Sequence, residues 1–298
     1  LRSSGLCNLS EVVLRSKDSL EDVRRKIRLA SILGTYQSTL TDFRYVRPIW
    51  KRNAEEERLL GVSFTGVFDC PAILHATPEE LMDLRDHAVE QNKLWAKKLK
   101  INQSVAVTCI KPSGTVSQLV GVSGSGLHPA YANHYIRRVR QDVKDPLNKA
   151  LIESGKPYIT DPYNKDAIVF EFPMGASTKS ITKDQVSALE HLEVWKKFAL
   201  YWCEHKPSVT IYVAEDEWLS VGAWCWENFD IVSGVSFLPK ADDAHIYEAA
   251  PYEEISREEY SELYMKTKNP IDWDNISEED DNTIGSQELA CTADACEI

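Results

Sequence analysis

The sequence predicts an α/β protein in which short strands alternate with capped helices. Segments rich in β-branched residues occur at residues 104–110, 167–172 and 208–213, and a further one at 232–238. Stretches with helical periodicity separate these segments, and that alternation is typical of α/β folds. The pattern alone leaves open whether the strands form a barrel or an open sheet.

Helices are predicted from their N-terminal signals. Thr77 precedes Pro78 and is followed by Glu80, so the three residues supply an N-cap, a proline at the first helical position and a capping-box carboxylate. Apolar residues then recur at helical spacing as far as Leu99. Similar signals predict helix starts at Ser19 (or Asp18), with a helix through Leu33, at Thr182 with Gln185, and at Ser256 with Glu259.

Composition places the chain among globular proteins. Its 298 residues are enough for one large domain or two ordinary ones, and 43% of them are hydrophobic and 27% charged. That balance excludes a mainly disordered chain or a collagen. No apolar run approaches the ~20 residues that a membrane-spanning helix needs, so no membrane partner is predicted.

Negative charge is concentrated at the C-terminal end. Residues 241–298 contain 17 acidic and 3 basic side chains, whereas residues 1–240 contain 29 acidic and 31 basic ones. Neither part carries the strong basic patch of a duplex-DNA binder, so no nucleic-acid partner is predicted. The tightest basic cluster, formed by Arg137, Arg138 and Arg140, is interpreted either as a solvated helix face or as a local anion site.

Residues 272–298 are predicted to form an acidic tail on a body of residues 1–271. From Asp272 onward the apolar periodicity stops, and the segment from Trp273 to Gln287 is acidic and polar. Such a composition is typical of a mobile tail. The first residue is leucine, not a start methionine, and the sequence opens as if inside a fold, so we expect a fragment or a processed product.

Cysteine usage indicates a reducing compartment. An odd number of scattered cysteines is not the framework of a secreted disulfide protein, and no signal-peptide pattern opens the sequence. A cytoplasmic location is therefore expected, where a close cysteine pair is more often redox-active or metal-binding than structural. The seven cysteines are Cys7, Cys70, Cys109, Cys203, Cys225, Cys291 and Cys296.

The sharpest motif is the run Lys111-Pro112-Ser113-Gly114-Thr115, directly after a predicted strand. Proline, serine and glycine favour a turn that exposes successive backbone N–H groups, and such a nest at a helix N-terminus binds phosphate oxygens. Ser113, Thr115 and Ser117 add hydroxyl donors. The motif matches neither the P-loop nor the dinucleotide fingerprint, and a plain strand-to-helix turn is the alternative.

A second motif, Cys291-Thr-Ala-Asp-Ala-Cys296, lies two residues from the end of the sequence. Four residues between the thiols permit a disulfide, and the acidic segment before them would act as a tether that carries the pair to another disulfide. Half of a zinc site and two idle surface thiols are the alternatives. No second pair or nearby histidine completes four zinc ligands, so no metal site is predicted.

The remaining chemistry-bearing side chains receive structural assignments. Cys70, Cys109, Cys203 and Cys225 lie in apolar sequence settings and are predicted to pack. His128 follows the glycine-rich stretch 121–126, and a structural role is favoured over ligand contact. Three tryptophans near apolar residues at helical spacing are predicted to belong to the core, namely Trp218, Trp224 and Trp226.

Motifs along nearly the whole chain, taken in order, resemble the adenosylcobalamin-dependent (class II) ribonucleotide reductases, and most closely their monomeric ribonucleoside-triphosphate reductase type. Their order is that of the family, so chance is a poor explanation. The matching segments are GLCNLSEVV (5–13), ERLLGVSFTG (57–66), KPSGT (111–115), WCEHKPSVTI (202–211), EWLSVGAW (217–224), GVSFLP (234–239), APYEE (250–254) and the terminal Cys-x4-Cys-Glu-Ile.

This resemblance implies a fold and an activity. The family fold is a ten-stranded α/β barrel around a finger loop, and this chain would be its C-terminal part with a flexible acidic tail. The family reduces the ribose 2′-hydroxyl of ribonucleotides, using adenosylcobalamin to generate a thiyl radical on a finger-loop cysteine. Two further cysteines supply the electrons and become a disulfide, which a C-terminal pair reduces before thioredoxin or a similar dithiol resets that pair.

The resemblance also implies roles for individual residues. Cys7 matches one of the two reducing cysteines, and Cys291 and Cys296 match the C-terminal shuttle pair. The loop that binds substrate phosphates is matched by Pro112, Ser113, Gly114 and Thr115. Cobalamin contacts are expected within residues 153–213 and 245–284, without assignment to individual side chains.

One part of the family pattern is missing from the sequence. The Asn-Pro-Cys-Gly-Glu motif of the thiyl cysteine does not occur, and that motif, the partner of Cys7 and the effector site are expected upstream of Leu1. We therefore expect a fragment that is inactive without the missing N-terminal half. The alternatives are a naturally split enzyme half and a non-catalytic module that binds a nucleotide or cobalamin.

Overall fold

The structure is a computed structural model that describes residues 2–177, 180–240 and 248–276, together with the backbone of residues 291–292 and 295–296. In chain order the elements are β1 (Asn8–Val13), α1 (Leu20–Gln37), α2 (Ile49–Glu57), β2 (Leu60–Thr65), α3 (Pro71–Leu74), α4 (Pro78–Leu99), α5 (Gly114–Val120), β3 (His134–Asp142), α6 (Pro146–Glu153), β4 (Tyr158–Thr160), β5 (Ala167–Gly175), α7 (Ala188–Tyr201), β6 (Val209–Val213), α8 (Trp218–Glu227), β7 (Val235–Pro239), β8 (Tyr252–Glu254), α9 (Arg257–Thr267), β9 (Cys291–Thr292) and β10 (Ala295–Cys296).

The chain divides into two compact units. The first unit consists of Leu1–Ala130 and Lys179–Lys240, and the second of Tyr131–Thr178 and Ala241–Ile298. No helix of the described residues is long and apolar enough to cross a membrane. The boundary of the acidic tail at residue 272 and the cytoplasmic location stay predictions, and residues 277–290 lie outside the part of the chain that the structure describes.

Three of the predicted helix starts are confirmed. Ser19 caps α1, Thr77 caps α4 and Ser256 caps α9. Each cap accepts the backbone N–H of the residue three positions later, whose carboxylate bonds back to the N–H of the cap. The first of these helices continues to Gln37, one turn beyond its predicted end at Leu33.

The predicted helix start at Thr182 is wrong. Thr182 and Gln185 do form a capping box, but it encloses only a 3-10 turn at Lys183–Gln185, because the next residue, Val186, returns to extended backbone. The long helix α7 begins at Ala188 instead, capped by Ser187.

Parallel strands organise the first unit. β1 pairs with β2 in parallel from Asn8↔Leu60 to Val13↔Thr65, and β6 pairs with β7 in parallel. On the other side of β2 runs the segment predicted as a strand at 104–110. It is joined to β2 by a single bridge, Val62↔Thr108, and not by a regular ladder. Ser208 at the entry to β6 donates its N–H to the carbonyl of Ile110 at the end of that segment.

These pairings confirm the α/β class but not the barrel. β1, β2, residues 105–110, β6 and β7 follow one another as neighbours through ladder and loop hydrogen bonds. Among the described residues no sheet closes on itself. The barrel expected from the resemblance therefore stays a prediction.

The core of the first unit lies on one face of β2. Leu60, Val62 and Phe64 are completely buried there. Phe64 stacks on Trp202 with ring centroids 4.3 Å apart and meets Phe198 edge-on. Of the three tryptophans predicted to be in the core, Trp224 is buried, whereas Trp218 and Trp226 are exposed on α8.

The second unit contains an antiparallel sheet in the order β4-β5-β3-β8. β3 and β5 pair over nine positions, from His134↔Gly175 to Asp142↔Ala167, and β5 confirms the strand predicted at 167–172. Tyr260 of α9 stacks on His134, and the ring packs against Gly175. The described helix α9 thus covers one end of the β3–β5 pair.

The stacked rings at Phe64 generate a stability prediction. Phe64→Ala removes a fully buried ring from between two aromatic partners, which costs about 3–5 kcal/mol of unfolding free energy. The measurement is urea unfolding of the chain, followed by tryptophan fluorescence. Leu40→Ala is the control, because Leu40 is 73% exposed and its truncation should change stability by less than about 0.5 kcal/mol. Equal midpoints for the two variants would contradict the assignment of Phe64 to the core.

Candidate functional site

The candidate site is built on the second face of β2. Residues 61, 63 and 65 alternate with the core-facing residues and therefore share that face. Gly61 lies beside the thiol of Cys7, Ser63 accepts a hydrogen bond from the backbone of Lys111, and Thr65 contacts Ser113. One strand face thus joins the predicted reducing cysteine to the predicted phosphate loop.

Cys7 lies immediately before β1. Its neighbour Asn8 donates its backbone N–H to the carbonyl of Leu59, which fixes the entry to the strand. Burial raises the pKa of the Cys7 thiol to about 11, although the positive charge of Lys111 opposes that shift. At neutral pH the side chain is therefore a protonated thiol and a weak nucleophile.

The Lys111 side chain is tied to the protein. Its ammonium donates hydrogen bonds of 2.8 Å to the carbonyl of Lys206 and to the hydroxyl of Ser208, and its backbone N–H donates to Ser63 Oγ at 3.1 Å. The Lys111 ammonium group therefore belongs to the first residue of the 111–115 loop, but oxygens of Lys206 and Ser208 bind it. Its field still reaches the thiol of Cys7.

Serine and threonine hydroxyls hold the loop that follows. Ser113 donates its N–H to Ser125 Oγ at 2.6 Å, and its own hydroxyl lies 2.7 Å from Thr65 Oγ1. Gly126 has a φ of 57° and would place a Cβ only 3.0 Å from the Lys111 carbonyl oxygen, so a side chain there would strain the packing of the two loops. The predicted turn is thus clamped between β2 and the glycine-rich stretch.

The structure separates the predicted phosphate-binding donors into two groups. Ser117 is buried and donates its hydroxyl to the Gly114 carbonyl at 3.0 Å, so it stabilises α5 and does not point outward as a donor. Pro112 has no N–H to offer. Gly114 and Thr115 begin α5, where backbone N–H groups lack intrahelical acceptors, and Thr115 is exposed. The outward-facing donors are therefore those of Gly114 and Thr115.

Asp69 holds the glycine-rich stretch 121–126 in place through both oxygens of its carboxylate. One carboxylate oxygen accepts the N–H of Ser123 at 2.7 Å, and the other accepts the hydroxyl of Ser180 at 2.6 Å. The hydroxyls of Ser123 and Ser180 are also within hydrogen-bond distance of each other, at 2.6 Å. This triangle fixes the stretch that packs on the 111–115 loop.

His128 has a structural role. Its Nε2 accepts the N–H of Thr210 at 2.9 Å, so its Nδ1 carries the proton that is donated to the Ser125 carbonyl. The neighbouring His191 donates to the carbonyl of Leu127. Burial lowers the pKa of both rings, that of His191 to about 3. Both histidines are thus neutral, and both ring nitrogens of His128 are occupied.

The arginine cluster lies on a strand, so its interpretation as a solvated helix face is wrong. Arg137, Arg138 and Arg140 belong to β3 in the second unit. Arg138 is nearly buried between Glu171 and Glu253, with nitrogen–oxygen distances of 2.8 and 2.5 Å. Arg140 pairs with Asp161 and donates to the carbonyl of Ala249, and Arg137 lies over the ring of Tyr252. The cluster ties β3 to β5, β8 and the adjoining loops.

The terminal cysteines are described by their backbone alone. β9 and β10 pair in antiparallel fashion, with Cys296 opposite Cys291. Residues directly opposite each other in such a pair have Cα atoms about 4.5–5.5 Å apart, a separation that suits a disulfide. Their side chains lie outside the described part of the chain.

Sequence reasoning missed several residues of this site. Gly61, Ser63 and Thr65 belong to one of the segments that carry the family resemblance, but nothing local distinguishes them from ordinary strand residues. Glu11 was missed as well. Burial raises its pKa to about 7, and one of its oxygens has no partner in the part of the chain that is described. Only the pairing of β1 with β2 brings Glu11 to Ser63.

No group of three or more histidine, cysteine, aspartate or glutamate side chains in the described ranges is arranged to hold a metal ion. Cys70 and Cys109 are buried, as predicted for packing residues. Cys203 and Cys225 are only partly buried.

Comparison with known proteins identifies relatives of the chain, although no protein-family model matches it. It is 28% identical to the adenosylcobalamin-dependent ribonucleoside-triphosphate reductase of Euglena gracilis, over 99% of this chain and 40% of that protein. It is also 28% identical to a probable enzyme of the same name from Dictyostelium discoideum, over 93% of this chain and 36% of that one. The reductase of Lactobacillus acidophilus is 29% identical, over 74% of this chain and 30% of its own length.

A solved structure shares the fold. The crystal structure of a B12-dependent (class II) ribonucleotide reductase matches with a TM-score of 0.70, over 91% of this chain and 41% of that one, at 23% sequence identity. The fold is therefore that of part of a class II ribonucleotide reductase. The named relatives confirm the resemblance, since they are adenosylcobalamin-dependent ribonucleoside-triphosphate reductases. This chain spans 40% or less of the length of each of the three relatives named.

The buried thiol of Cys7 generates a pH prediction. Because only the thiolate is alkylated, the rate of Cys7 modification by iodoacetamide should rise about tenfold per pH unit throughout pH 7–9.5. An ordinary thiol, with a pKa of about 8.5, levels off within that range and serves as the reference. The measurement is mass spectrometry of the peptide that contains Cys7, with Cys7→Ser to assign it. A plateau near pH 9 would contradict the raised pKa.

Proposed function

We propose that this chain is part of an adenosylcobalamin-dependent reductase that converts ribonucleotides, and in particular ribonucleoside triphosphates, to 2′-deoxyribonucleotides. The observation that carries the proposal is the shared face of β2, with a reducing thiol at one end and the outward donors of the 111–115 loop at the other. Residues 61 and 65 are about 13 Å apart along a strand. That span suits an elongated ligand with phosphates at one end and a reducible group at the other.

We infer that the 111–115 loop binds the substrate phosphates. The backbone N–H groups of Gly114 and Thr115 and the Thr115 hydroxyl are the donors, and the positive end of α5 adds to their attraction for an anion. Ser113 and Pro112 shape the turn, with Ser113 held by Ser125 and Thr65. Ser117 supports the helix from inside and does not touch the ligand in this proposal.

We propose that Cys7 is one of two cysteines that supply the reducing electrons. Its second cysteine, like the radical-bearing one, belongs to a part of the enzyme outside this chain. The two thiols together give up two protons and two electrons and form a disulfide, while the ribose 2′-oxygen leaves as water. A protonated Cys7 suits this role, because a thiol brings its own hydrogen to the reaction.

We propose that Cys291 and Cys296 then reset the disulfide. A thiolate of the pair attacks it and releases one of its two cysteines as a thiol. The second cysteine of the pair then attacks the mixed disulfide and releases the other, and thioredoxin or a similar dithiol reduces the Cys291–Cys296 disulfide. The opposed positions of the two residues on β9 and β10 support their pairing. The acidic segment before them would serve as the tether.

The cobalamin contacts are proposed within residues 153–213 and 245–284. In the described parts of these ranges the second unit exposes the aromatic side chains of Tyr158, Tyr163, Tyr264 and Trp273. Such rings fit a large planar macrocycle, because they offer apolar faces with polar edges. Adenosylcobalamin supplies the radical that starts the reaction when it is bound, whereas the residues of this chain position it and exclude water.

The free side of β1 supports assembly with further polypeptide. Within the described residues β1 is paired only with β2. A groove of about 450 Å³ runs along it, lined in part by Arg15, Leu29, Leu33 and Val120. Leu29 and Leu33 are exposed there. We propose that a part of the enzyme outside this chain, the N-terminal half of the expected barrel, covers this edge.

The reductant dependence tests the cysteine assignments. The enzyme is a chimera in which this chain replaces the matching part of the Euglena gracilis relative. Cys291→Ser or Cys296→Ser should abolish repeated turnover with thioredoxin but preserve turnover with dithiothreitol, which reaches the site directly. Cys7→Ser should abolish product with either reductant, and Cys225→Ser is the control. Equal failure of both reductants in the terminal variants would refute the shuttle role, and an active Cys7→Ser enzyme would refute the reducing role.

Gly114 provides a test of the phosphate loop in the same chimera. A Cβ at Gly114 meets no atom within 4 Å, so Gly114→Ala leaves the fold intact while the methyl group obstructs the approach of a phosphate. We expect KM for the ribonucleotide to rise about tenfold, which corresponds to roughly 1.4 kcal/mol of binding free energy. Gly222→Ala on α8 is the matched control, because a Cβ there is equally free of contacts. An unchanged KM in Gly114→Ala would remove the loop from the substrate site.

A further inference from the structure

Gly61 creates a place where two thiols meet. A Cβ built on this residue would lie 3.0 Å from Cys109 Sγ and 3.1 Å from Cys7 Sγ, so both sulfurs border the space that a side chain would fill. The third atom in that space is Cδ2 of Leu9, at 2.3 Å. The absence of a side chain at position 61 therefore allows Cys7, Leu9 and Cys109 to pack together.

The two cysteines reach this place from opposite neighbours of β2. Cys7 precedes β1, and Cys109 follows Thr108, which forms the bridge to Val62. The two thiols are close enough for the charge of one to raise the pKa of the other, in addition to the larger effect of burial on Cys109. Neither cysteine forms a disulfide with another described residue.

The surroundings permit the sulfurs to come into bonding distance. Leu9 is 48% exposed, so its side chain can rotate toward solvent and away from the space above Gly61 that both sulfurs border. Cys7 lies outside the β1 ladder, which begins at Asn8, so its backbone can shift without breaking the strand pairing. Because they lie 3.0 and 3.1 Å from one point above Gly61, the two sulfurs are no more than about 6 Å apart, and a disulfide requires them to approach to about 2.05 Å.

We propose that Cys7 and Cys109 form a reversible disulfide over Gly61, a redox site contained entirely within this chain. With oxidised glutathione as the oxidant, the thiolate of one cysteine attacks the reagent, forms a mixed disulfide and releases one glutathione thiol. The second cysteine loses its proton and attacks the protein sulfur of that mixed disulfide, and the second glutathione thiol leaves. The two protein thiols are oxidised to one disulfide, and one oxidised glutathione is reduced to two thiols.

Formation of the Cys7–Cys109 disulfide does not depend on the proposed function, since no nucleotide or cobalamin takes part in it. Its consequence does rest on the proposed function: the Cys7–Cys109 disulfide would withdraw Cys7 from ribonucleotide reduction until a dithiol restores it. Oxidation of Cys109 together with Cys7 would thus inhibit the reductase reversibly.

The experiment uses the complete chain, reduced and then incubated with oxidised glutathione at about pH 9, where more of each buried thiol is ionised. The reaction is quenched with N-ethylmaleimide, and tryptic peptides are analysed by mass spectrometry. Cleavage at Arg15, Lys100 and Arg137 places Cys7, Cys109 and Cys203 on separate peptides. The expected product is the Cys7 peptide linked to the Cys109 peptide, reversed by dithiothreitol.

Four variants make the result specific. Cys109→Ser should leave Cys7 as a mixed disulfide with glutathione, whereas Cys203→Ser should still form the Cys7–Cys109 link. Leu9→Ala should form the link faster, because it removes the carbons that fill the space above Gly61. Gly61→Ala should slow it, and Leu9→Ala keeps the test decisive if Gly61→Ala does not fold. Equal amounts of Cys7–glutathione adduct in the unmodified chain and in Cys109→Ser, or a Cys109–Cys203 link in place of the expected one, would overturn the proposal.

Discussion

The candidate site depends on the complete burial of β2, which packs one face against the hydrophobic core and the other against polar groups. Leu60, Val62 and Phe64 pack into the hydrophobic core, and removal of these side chains from water is the main force that fixes the strand. Because side chains alternate along a strand, this packing also fixes the direction of residues 61, 63 and 65. A slip of one residue would turn both sets to the wrong face. The core therefore positions the candidate site directly.

The second face of β2 is polar and nevertheless buried, so its groups need partners. Ser63 and Thr65 are completely buried, and both take part in hydrogen bonds with the 111–115 loop. An unsatisfied buried hydroxyl would cost roughly 1–3 kcal/mol, which gives this network a stabilising role beyond any function. The same bonds make the loop rigid before a ligand arrives. A site of this kind loses little conformational entropy on binding.

Burial also changes the protonation of the ionisable groups beside this face. It raises the pKa of Cys7 to about 11, so the thiol is protonated at neutral pH, and it raises the pKa of Glu11 to about 7, so ionisation of that carboxyl is disfavoured. A neutral thiol is a poor nucleophile toward passing reagents but retains its hydrogen for a reaction in which thiols are consumed in pairs. The proposed reduction uses Cys7 as a protonated thiol, whereas the proposed Cys7–Cys109 disulfide forms from the thiolate, which is scarce at neutral pH.

Local signals in the sequence determined the features that depend on a few consecutive residues. The capping boxes at Ser19, Thr77 and Ser256 are complete within three residues of each cap, and those helices begin as predicted. The motif order determined the relationship to the reductases. Tertiary structure decided which side chains are buried and which distant residues become neighbours, because both depend on which surfaces of the helices and strands pack together. Burial could not be inferred for the tryptophans of α8, since a helix turns equal apolar residues toward the core and toward solvent. Cys109 becomes a neighbour of Cys7 only because β2 lies between their segments and has glycine at position 61, and no local pattern encodes a contact between residues so far apart in the chain.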